Sequence, residues 1–375
     1  MTRKGGLGQG PIEPADPEGW NDDSGQDLPG FPGLPEDLNQ PYRPGEFDAV
    51  EAQVEKSLRP KTFEGFVGQC RVVENLRLAI EAARARGDVL DHVLLSGMPG
   101  LGKTTLAYLV AGALGSEIQV TSGPVIEKGK DLVGHLTSLK RGDVLFIDEI
   151  HRMSREAEEY LYSAMEDFKV DIRLDKGPDA RSFRFTLAPF TLVGATTREG
   201  LLAAPFRSRF GILEKLEPYD VEDLARIIRN SAAILEVDIE PKAAVMLAER
   251  ARGTPRFANR FLRRVRDVAQ CRGGVDRPVR IAVVDVEEGL KRLGVDHNGL
   301  DLMDRQILRL LLQSGQQPLG LKTIAISVGE EERTIEDVYE PYLIQRGLLI
   351  KTPRGRLATT RAGEFVGLLS PPSRQ

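Results

Sequence analysis

The residues with the clearest chemistry lie at positions 97–104, where the chain reads GMPGLGKT and fits the phosphate-binding pattern G-x-x-x-x-G-K-[ST]. An apolar run precedes the pattern and a helical apolar period follows it, which is the strand–turn–helix context that it needs. The glycines let successive N–H groups point at one anion, and the helix start adds partial positive charge. We predict that Lys103 reaches the β- and γ-phosphates and that the Thr104 hydroxyl binds Mg²⁺. Nucleotide contacts of the same loop and helix start are assigned to Gly100, Gly102 and Thr105. The flanks disfavour the alternative of a glycine-rich turn without a ligand.

A pair of acids, Asp148 and Glu149, directly follows a second apolar run at residues 144–147. Such a run predicts a buried parallel strand, and acids at its carboxyl end face the crevice where open α/β sheets bind ligands. We predict that Asp148 holds magnesium, directly or through water, and that Glu149 orients and polarises the attacking water. Ordinary surface acids at a strand end are the alternative, which the nearby phosphate loop makes less favoured.

Residues 190–198 form a third apolar strand that ends in small polar residues, where the hydroxyl of Thr197 could sense a γ-phosphate or place the water. The turn that follows, residues 204–211, carries Arg207 and Arg209. An arginine supplied by a neighbouring subunit stabilises charge in phosphoryl transfer and raises the rate ~10³–10⁵-fold. Without the other motifs, two solvated surface arginines would be the simpler interpretation.

Residues 252–256 read Arg-Gly-Thr-Pro-Arg and predict the end of one helix and the start of the next. Gly253 suits a left-handed cap, Thr254 an N-cap and Pro255 the first helical turn. Arg256 then lies at a helix start, where the helix dipole gives a cation no help. This mild local penalty favours a phosphate ligand for Arg256.

The elements that must position these residues predict an α/β fold class with a parallel sheet at its core. Residues 51–218 alternate helical and strand patterns, as a wound parallel sheet requires. Within them, residues 170–186 alternate with period two around residues 175–178, which predicts a β-hairpin; an ordinary sheet edge is the alternative. Residues 219–297 predict a small all-helical lid, and residues 298–375 predict a winged helix.

The predicted wing is a basic turn near the end of the chain. Short strand patterns flank a Pro/Gly turn that carries Lys351, Arg354 and Arg356. Turn arginines cover phosphates without reading bases, so we predict that these three residues bind DNA of any sequence. A basic turn that serves only solubility is the alternative.

The chain has 375 residues and a net charge of −5, which by itself does not suggest a DNA-binding protein. The charge is uneven, because residues 1–50 hold ten acids and three bases whereas residues 341–375 hold six bases and one acid. Screening confines the field of a patch to ~10 Å, so a local basic patch can bind phosphates on an acidic protein. Residues 1–50 also hold eight prolines and nine glycines, and we expect a disordered tail, an inert extension rather than a segment for autoinhibition or partner contact.

The cysteines Cys70 and Cys271 have no CxxC spacing, which indicates neither a disulfide framework nor a zinc site. No apolar run approaches ~20 residues, and the amino terminus lacks a hydrophobic signal segment. We therefore expect a cytoplasmic protein with no membrane partner. The histidines are scattered and are expected to be ordinary polar or packing residues: His92, His135, His151 and His297.

From about residue 58 to residue 369 the chain resembles the RuvB family, the AAA+ motors of Holliday-junction branch migration. The phosphate loop and the paired acids are generic to many NTPases, whereas residues 190–211 and the carboxyl-terminal block are far more specific. Further matching segments are Leu58-Arg59-Pro60, Phe66-Val67-Gly68-Gln69, Glu166-Asp167-Phe168 and residues 338–345. One departure is Lys351, where the family usually has arginine; lysine loses the bidentate fork but keeps the charge.

The resemblance implies ATP and Mg²⁺ as cofactors and adds roles for individual residues. It implies that Leu58, Arg59 and Tyr219 contact the base region of the nucleotide. It implies that Arg209 acts in trans, that Arg256 senses phosphate in cis, and that three further residues lie near the nucleotide: Glu166, Asp167 and Phe168. It also implies a homohexameric ring on Holliday-junction and duplex DNA and docking of the partner RuvA through the hairpin at 170–186. A contact with the RuvC resolvase stays open.

The predicted function is an ATP-driven motor that moves Holliday junctions in homologous recombination and DNA repair. One subunit would hold ATP·Mg²⁺ and its water through Lys103, Thr104, Asp148, Glu149 and Thr197, and the next subunit would supply Arg209. The alternative is a nucleotide-switched AAA+ DNA-binding module, such as an initiator, a regulator or a clamp-loader-like factor, without translocation. The hairpin and the wing favour the motor.

Overall fold

The computed structural model describes residues 56–173, 182–273, 278–315 and 317–366. The predicted tail at residues 1–50 and the predicted hairpin turn at residues 175–178 lie outside these ranges. The first part of the described chain consists of the elements α1 (Cys70–Arg86), β1 (Val93–Ser96), α2 (Lys103–Leu114), β2 (Ile118–Ser122), α3 (Gly129–Ser138), β3 (Val144–Asp148), α4 (Arg155–Asp167), β4 (Lys169–Arg173), β5 (Ser182–Thr186), β6 (Thr191–Thr196), α5 (Ala204–Arg207) and β7 (Ile212–Lys215).

Five of these strands form one parallel sheet in the order β2-β3-β6-β1-β7. Strands β1 and β6 are buried along their whole length, and so is β3 apart from its last residue, because helices cover both faces of the sheet. The parallel sheet confirms the predicted fold class. Since β3, β6 and β1 are neighbours, the segments that follow their carboxyl ends meet at one edge of the sheet. Those segments are the phosphate loop, the paired acids and Thr197.

Strands β4 and β5 stand apart from the sheet as an antiparallel pair, with Lys169 opposite Thr186 and Val170 opposite Phe185. Phe183 and Phe185 are about half exposed on β5. Arg184 donates to both carboxylate oxygens of Asp171 across the pair. The hairpin therefore offers two aromatic side chains to the surroundings while its base continues directly from α4.

The second part of the described chain is the lid. It contains α6 (Val221–Ile234), β8 (Asp238–Ile239), α7 (Pro241–Arg250), α8 (Pro255–Gly273), β9 (Arg280–Ile281) and α9 (Val283–Arg292). We expected helices alone, but the residues between them form the short parallel pair β8–β9. The pair gives the backbone groups of these two connecting segments hydrogen-bond partners, which loops inside a compact unit need.

The third part of the described chain has the arrangement of a winged helix. It contains α10 (Leu302–Gln313), α11 (Leu321–Val328), α12 (Glu332–Thr334), a π-helical turn (Ile335–Tyr339), α13 (Glu340–Gln345), β10 (Leu349–Thr352), β11 (Gly355–Ala358) and α14 (Thr360–Phe365). The π-helical turn interrupts the α-helical pattern of residues 332–345 just before Pro341, which has no N–H to donate to the carbonyl four residues earlier.

Arg252 joins the lid to the winged helix. Its guanidinium carbon lies 4.7 Å from the ring centroid of Phe257 and 4.8 Å from that of Tyr342. Its Nη2 donates to Asp301 at 2.7 Å and to Asp304 at 2.6 Å. The Arg252 side chain is only 2% exposed and that of Asp304 is fully buried. Burial and the neighbouring Asp301 raise the pKa of Asp304 to about 7, against the attraction of Arg252.

We expect Arg252→Leu to lower the free energy of unfolding by about 3–5 kcal/mol at pH 8, because Asp304 loses the cation that compensates its buried charge. When the pKa of an acid is higher in the folded than in the unfolded state, the protein loses stability as the pH rises from the unfolded to the folded pKa. The loss should therefore shrink when unfolding is measured at pH 6, where Asp304 takes up a proton. Arg292→Leu breaks an exposed pair with Glu288 and should cost less than about 1 kcal/mol. An equal loss of stability at both pH values would contradict the explanation that an unpaired Asp304 carboxylate causes it.

Candidate nucleotide site

A cavity of about 480 Å³ lies at the carboxyl edge of the sheet, between the large domain and the lid. Twelve of the residues predicted to bind nucleotide, metal or water line it: Leu58, Arg59, Gly100, Gly102, Lys103, Thr104, Thr105, Asp148, Glu149, Thr197, Tyr219 and Arg256. They come from segments that are far apart in the sequence and meet only in the fold. The cavity is large enough for a nucleotide-sized ligand.

The phosphate loop depends on glycine for its shape. Gly100 has φ +81° and Gly102 has φ +103°, conformations that side chains with a Cβ rarely adopt. A Cβ on Gly100 would lie 2.8 Å from the Cβ of Arg256, and one on Gly102 would lie 3.2 Å from the ring of Phe66. The loop backbone can thus approach both the lid arginine and the cavity only because these positions carry no side chain.

Lys103 begins α2 and is buried. Its ammonium donates to the carbonyl oxygens of Gly97 at 2.7 Å and Met98 at 2.9 Å. Burial lowers the pKa of Lys103 to about 8, and the carboxylates of Asp148 and Glu149 oppose that shift. A phosphate close to the ammonium would favour its charged form, so Lys103 is suited to bind an anion.

Asp148 and Glu149 extend from the end of β3 into the same cavity. The N–H of Glu149 donates to Oδ1 of Asp148 at 2.9 Å. Burial raises the pKa of Glu149, and the neighbouring Asp148 raises it further. A raised pKa makes a carboxylate a better proton acceptor near neutral pH, which suits the predicted role of Glu149 toward water.

Oxygen donors are available for a magnesium ion. Thr104 supplies a hydroxyl and Asp148 a carboxylate, both on the wall of one cavity. Mg²⁺ prefers hard oxygen ligands and usually takes only one or two protein carboxylates, completing its shell with phosphate oxygens and water. The donor set therefore fits the predicted cation.

The lid side of the cavity begins with Arg256, on the first turn of α8. Gly253 has φ +70°, and the Thr254 hydroxyl accepts from the N–H of Phe257 at 3.4 Å, so the predicted helix boundary is confirmed. The N–H of Tyr219 donates to the carbonyl of Gly253 at 2.9 Å, and the Tyr219 hydroxyl donates to the carbonyl of Leu101 at 3.3 Å. Tyr219 thus connects the phosphate loop to the segment that carries Arg256.

Several cavity residues were not predicted from the sequence. Ile227, Asn230, Ser231 and Ile234 share one face of α6, and Asn259 lies on α8. Their spacing of three and four residues shows that they share a helix face, but not that this face covers a cavity. The side-chain oxygen of Asn259 is buried without a hydrogen-bond partner among the described residues, and it can accept from a ligand donor.

Arg209 does not line this cavity. Its Nη2 donates to Glu166 at 2.9 Å, and its guanidinium carbon lies 4.8 Å from the ring centroid of Tyr162. The neighbouring Phe168 packs edge-on against the rings of His92 and Phe190, and Asp167 ends α4 beside it. Glu166, Asp167 and Phe168 therefore do not line the cavity of their own subunit, and Glu166 is the one of the three that pairs with Arg209.

The predicted wing residues differ in their accessibility. Lys351 donates to Glu336 at 2.7 Å, and Arg356 is buried in a bidentate pair with Glu340. Arg354 is exposed at the turn between β10 and β11. The burial of Arg356 argues against its predicted contact with DNA, because its guanidinium is already paired with a buried carboxylate.

Within the described ranges, no helix combines the length and the apolar character that a membrane crossing requires.

The chain matches three protein-family models in succession. Residues 58–216 match the Holliday junction DNA helicase RuvB P-loop domain, residues 219–296 the RuvB AAA lid domain, and residues 297–367 the RuvB C-terminal winged helix domain. These matches agree with the three parts of the described fold.

Curated relatives and solved structures give the same result. The chain is 56% identical over 322 residues to the Holliday junction branch migration complex subunit RuvB of Kosmotoga olearia, which covers 86% of this chain and 93% of that protein. It is 53% identical over 326 residues to the protein of the same name from Myxococcus xanthus, covering 87% and 94%. It is also similar to the structure of the Thermotoga maritima RuvB Holliday junction branch migration motor, with 48% identity, a TM-score of 0.75 and coverage of 84% of this chain and all of that one. Because the models span most of the chain and the relatives are more than half identical to it, this chain belongs to the RuvB family of AAA+ ATPases.

Proposed function

We propose that this chain is one subunit of a ring, best formed by six copies, that uses ATP hydrolysis to move duplex DNA through a Holliday junction. The activity itself, ATP-dependent branch migration of Holliday junctions, follows from membership of the RuvB family. The residue roles, the ring and the magnesium ion are proposals that the geometry supports.

In this proposal, Lys103 and the loop N–H groups bind the β- and γ-phosphates, while Thr104 and Asp148 hold Mg²⁺. The ion would neutralise charge on the phosphate oxygens. Glu149 orients the attacking water and accepts its proton, and Thr197 places the water or the γ-phosphate. The base region would contact Leu58, Arg59 and Tyr219, which line the same cavity.

The single observation that supports a ring-shaped assembly is the location of Arg209. It lies outside its own nucleotide cavity, paired with the exposed Glu166, which is 65% accessible. An arginine on an outer face can act on phosphate only if another subunit brings its cavity to that face. A shared site of this kind requires a repeated head-to-tail interface, and such an interface forms a ring when the rotation between subunits closes.

Movement would pass through the lid. Arg256 belongs to the lid and Lys103 to the sheet, and both line the cavity. Loss of the γ-phosphate removes a ligand common to both, so the two bodies can reorient. Four residues before Arg256, the buried Arg252 is bonded to Asp301 and Asp304 of the winged helix, so the winged helix follows the lid.

For DNA, the proposal assigns phosphate contact to Arg354 at the tip of the wing. We expect Arg354→Ala to weaken binding to duplexes of any sequence and to reduce the slope of log K against log salt by about one unit. Arg292→Ala, at an exposed lid position, is the control and should leave the slope unchanged. Titrating a labelled duplex at several salt concentrations measures both variants, and an unchanged slope for Arg354→Ala would move the DNA contact away from the wing tip.

As partner, we propose that the hairpin β4–β5 docks RuvA through its half-exposed Phe183 and Phe185. Apolar aromatic side chains on a projecting hairpin are typical of a protein contact. We place the motor in the cytoplasm, where bacterial DNA lies. No described feature assigns a surface to RuvC.

The decisive experiment is dissociation of a synthetic four-way junction by the purified chain with RuvA and ATP. The motor should convert the junction to two duplexes only when ATP is hydrolysed, and Phe183→Ser plus Phe185→Ser should abolish conversion while ATP turnover without RuvA persists. Hydrolysis by the wild type without strand exchange would favour the alternative, a nucleotide-switched DNA-binding module.

A further inference from the structure

His151 lies behind the paired acids and does not line the nucleotide cavity. Its Nε2 is 3.5 Å from Oε2 of Glu149, and its Nδ1 is 2.9 Å from the Thr196 hydroxyl oxygen. The His151 side chain is 5% exposed, and Thr196 is fully buried at the end of β6. The imidazole therefore bridges a strand of the sheet and the carboxylate that faces the cavity.

The hydrogen bonds around Thr196 assign the proton on this ring. The Thr196 oxygen accepts from the N–H of Arg198 at 3.0 Å. Its own hydroxyl proton then finds its acceptor in Nδ1 of His151, the remaining partner that the described residues offer it. A neutral imidazole that accepts at Nδ1 carries its proton on Nε2, the ring nitrogen that lies 3.5 Å from Oε2 of Glu149. Burial and the charges of Arg198 and Arg152 lower the pKa of His151, which keeps the ring neutral.

The backbone holds Glu149 from the other side. Glu149 has φ +49°, a left-handed conformation that is costly for a residue with a side chain and that clusters at functional sites. Its N–H is bonded to Asp148. Because the backbone is fixed in this way, the Glu149 carboxylate can change its position only by rotation of its own side chain. The Nε2 of His151, 3.5 Å away, is placed to restrict that rotation.

We propose that His151 is a positioning residue for ATP hydrolysis. Its Nε2–H holds the Glu149 carboxylate in the orientation from which Glu149 acts on water, and Thr196 holds the ring. This inference rests on the proposed function, because it requires Glu149 to act on water. It assigns a role to a histidine that sequence reasoning had placed among ordinary polar residues.

The same series of polar contacts continues into the winged helix. The backbone N–H of Arg198 donates to Thr196, and its guanidinium is paired with Glu336 at 2.9 Å and with Asp337. Both acids lie in the π-helical turn. Glu149 is thus connected through three residues, His151, Thr196 and Arg198, to the domain that would contact DNA.

The test compares His151→Phe, Thr196→Val and the double variant in steady-state ATP hydrolysis, with affinity for a fluorescent ATP analogue measured separately. Phenylalanine fills the space without the N–H, and valine is isosteric with threonine. Each single variant should lower kcat by about 10–100-fold with nucleotide affinity within about twofold of wild type. Both changes disrupt one interaction. The kcat of the double variant should therefore be no more than about threefold below that of the less active single variant.

His151→Gln provides the rescue, since its amide nitrogen can occupy the Nε2 position and donate to Glu149. The His151→Gln variant should recover at least about a third of the decrease in log kcat that His151→Phe causes. His135→Phe, on α3 of the same domain, is the control and should behave as wild type. A kcat of His151→Phe close to the wild-type value, or fully multiplicative losses in the double variant, would overturn the proposal. Absence of ATP hydrolysis in the wild type would instead refute the proposed function, so the two failures are distinct.

Discussion

Arg209→Ala should reduce ATP turnover by ~10³–10⁵-fold in assemblies made of that variant alone. Arg209 lies outside its own cavity and is held by Glu166 and the ring of Tyr162. Removing it therefore leaves the phosphate loop and both acids intact, and nucleotide affinity should change little. Turnover is measured by phosphate release, and affinity by titration with a fluorescent ATP analogue.

The sharper form of this experiment mixes Arg209→Ala subunits with Lys103→Ala subunits, each inactive alone. A cavity from the first kind of subunit and an arginine from the second complete one site at their interface. With random mixing at equal amounts, about a quarter of the interfaces combine the two functional halves, so substantial turnover should return. Arg207→Ala alters the other arginine of the same turn, which is paired with Glu199, and should remain active. If no mixing ratio restores turnover, Arg209 does not act in trans.

Glu149→Gln should lower kcat for ATP hydrolysis by ~10²–10⁴-fold, because glutamine keeps the shape of the side chain but cannot accept a proton from water. Burial and Asp148 raise the pKa of Glu149, so the native carboxylate is better matched to proton acceptance than an exposed one. Lys103 and Thr104 are unchanged, and the variant should still bind ATP. The variant should therefore trap the assembly with nucleotide bound.

The control for this prediction is Glu156→Gln, an exposed glutamate in the first turn of α4. It carries the same change of charge at a position outside the cavity and should hydrolyse ATP at the wild-type rate. Turnover of Glu149→Gln near the wild-type rate would remove Glu149 from its role toward water. It would also remove the reason for the orientation that we assign to His151.

The residues that the sequence assigned to a nucleotide site line one cavity, because the segments that carry them are local patterns. The loop at 97–104, the acids after β3 and Thr197 after β6 each follow an apolar run. Buried parallel strands need such runs, and the carboxyl ends of neighbouring strands meet at one edge. The helix boundary at Gly253 and Thr254 was equally predictable, because glycine caps and hydroxyl N-caps depend on a few consecutive residues.

The wing shows contacts that local patterns could not predict. A Pro/Gly turn between two short strands predicted the wing, and β10 and β11 pair as expected. Its charges were treated as equivalent, yet Arg356 is buried against Glu340 and Lys351 is paired with Glu336. Glu336 lies in the π-helical turn and Glu340 begins α13, both before the strands in the sequence. Their contact with Arg356 and Lys351 depends on how this helical segment packs against β10 and β11. Lys351 and Arg354 are both exposed, but the Lys351 ammonium is paired with Glu336, whereas Arg354 lies at the turn itself.

The sequence by itself determined which chemistry the chain carries, since phosphate binding and water activation depend on residue types at fixed short spacings and on apolar runs that must be buried. The tertiary structure decided which charged and polar side chains meet across long distances. It paired Arg209 with Glu166, Arg252 with Asp304, and His151 with both Glu149 and Thr196. The physical reason is that burial of apolar area follows a pattern that the sequence displays, whereas a hydrogen bond or an ion pair forms only where packing brings the two partners close together.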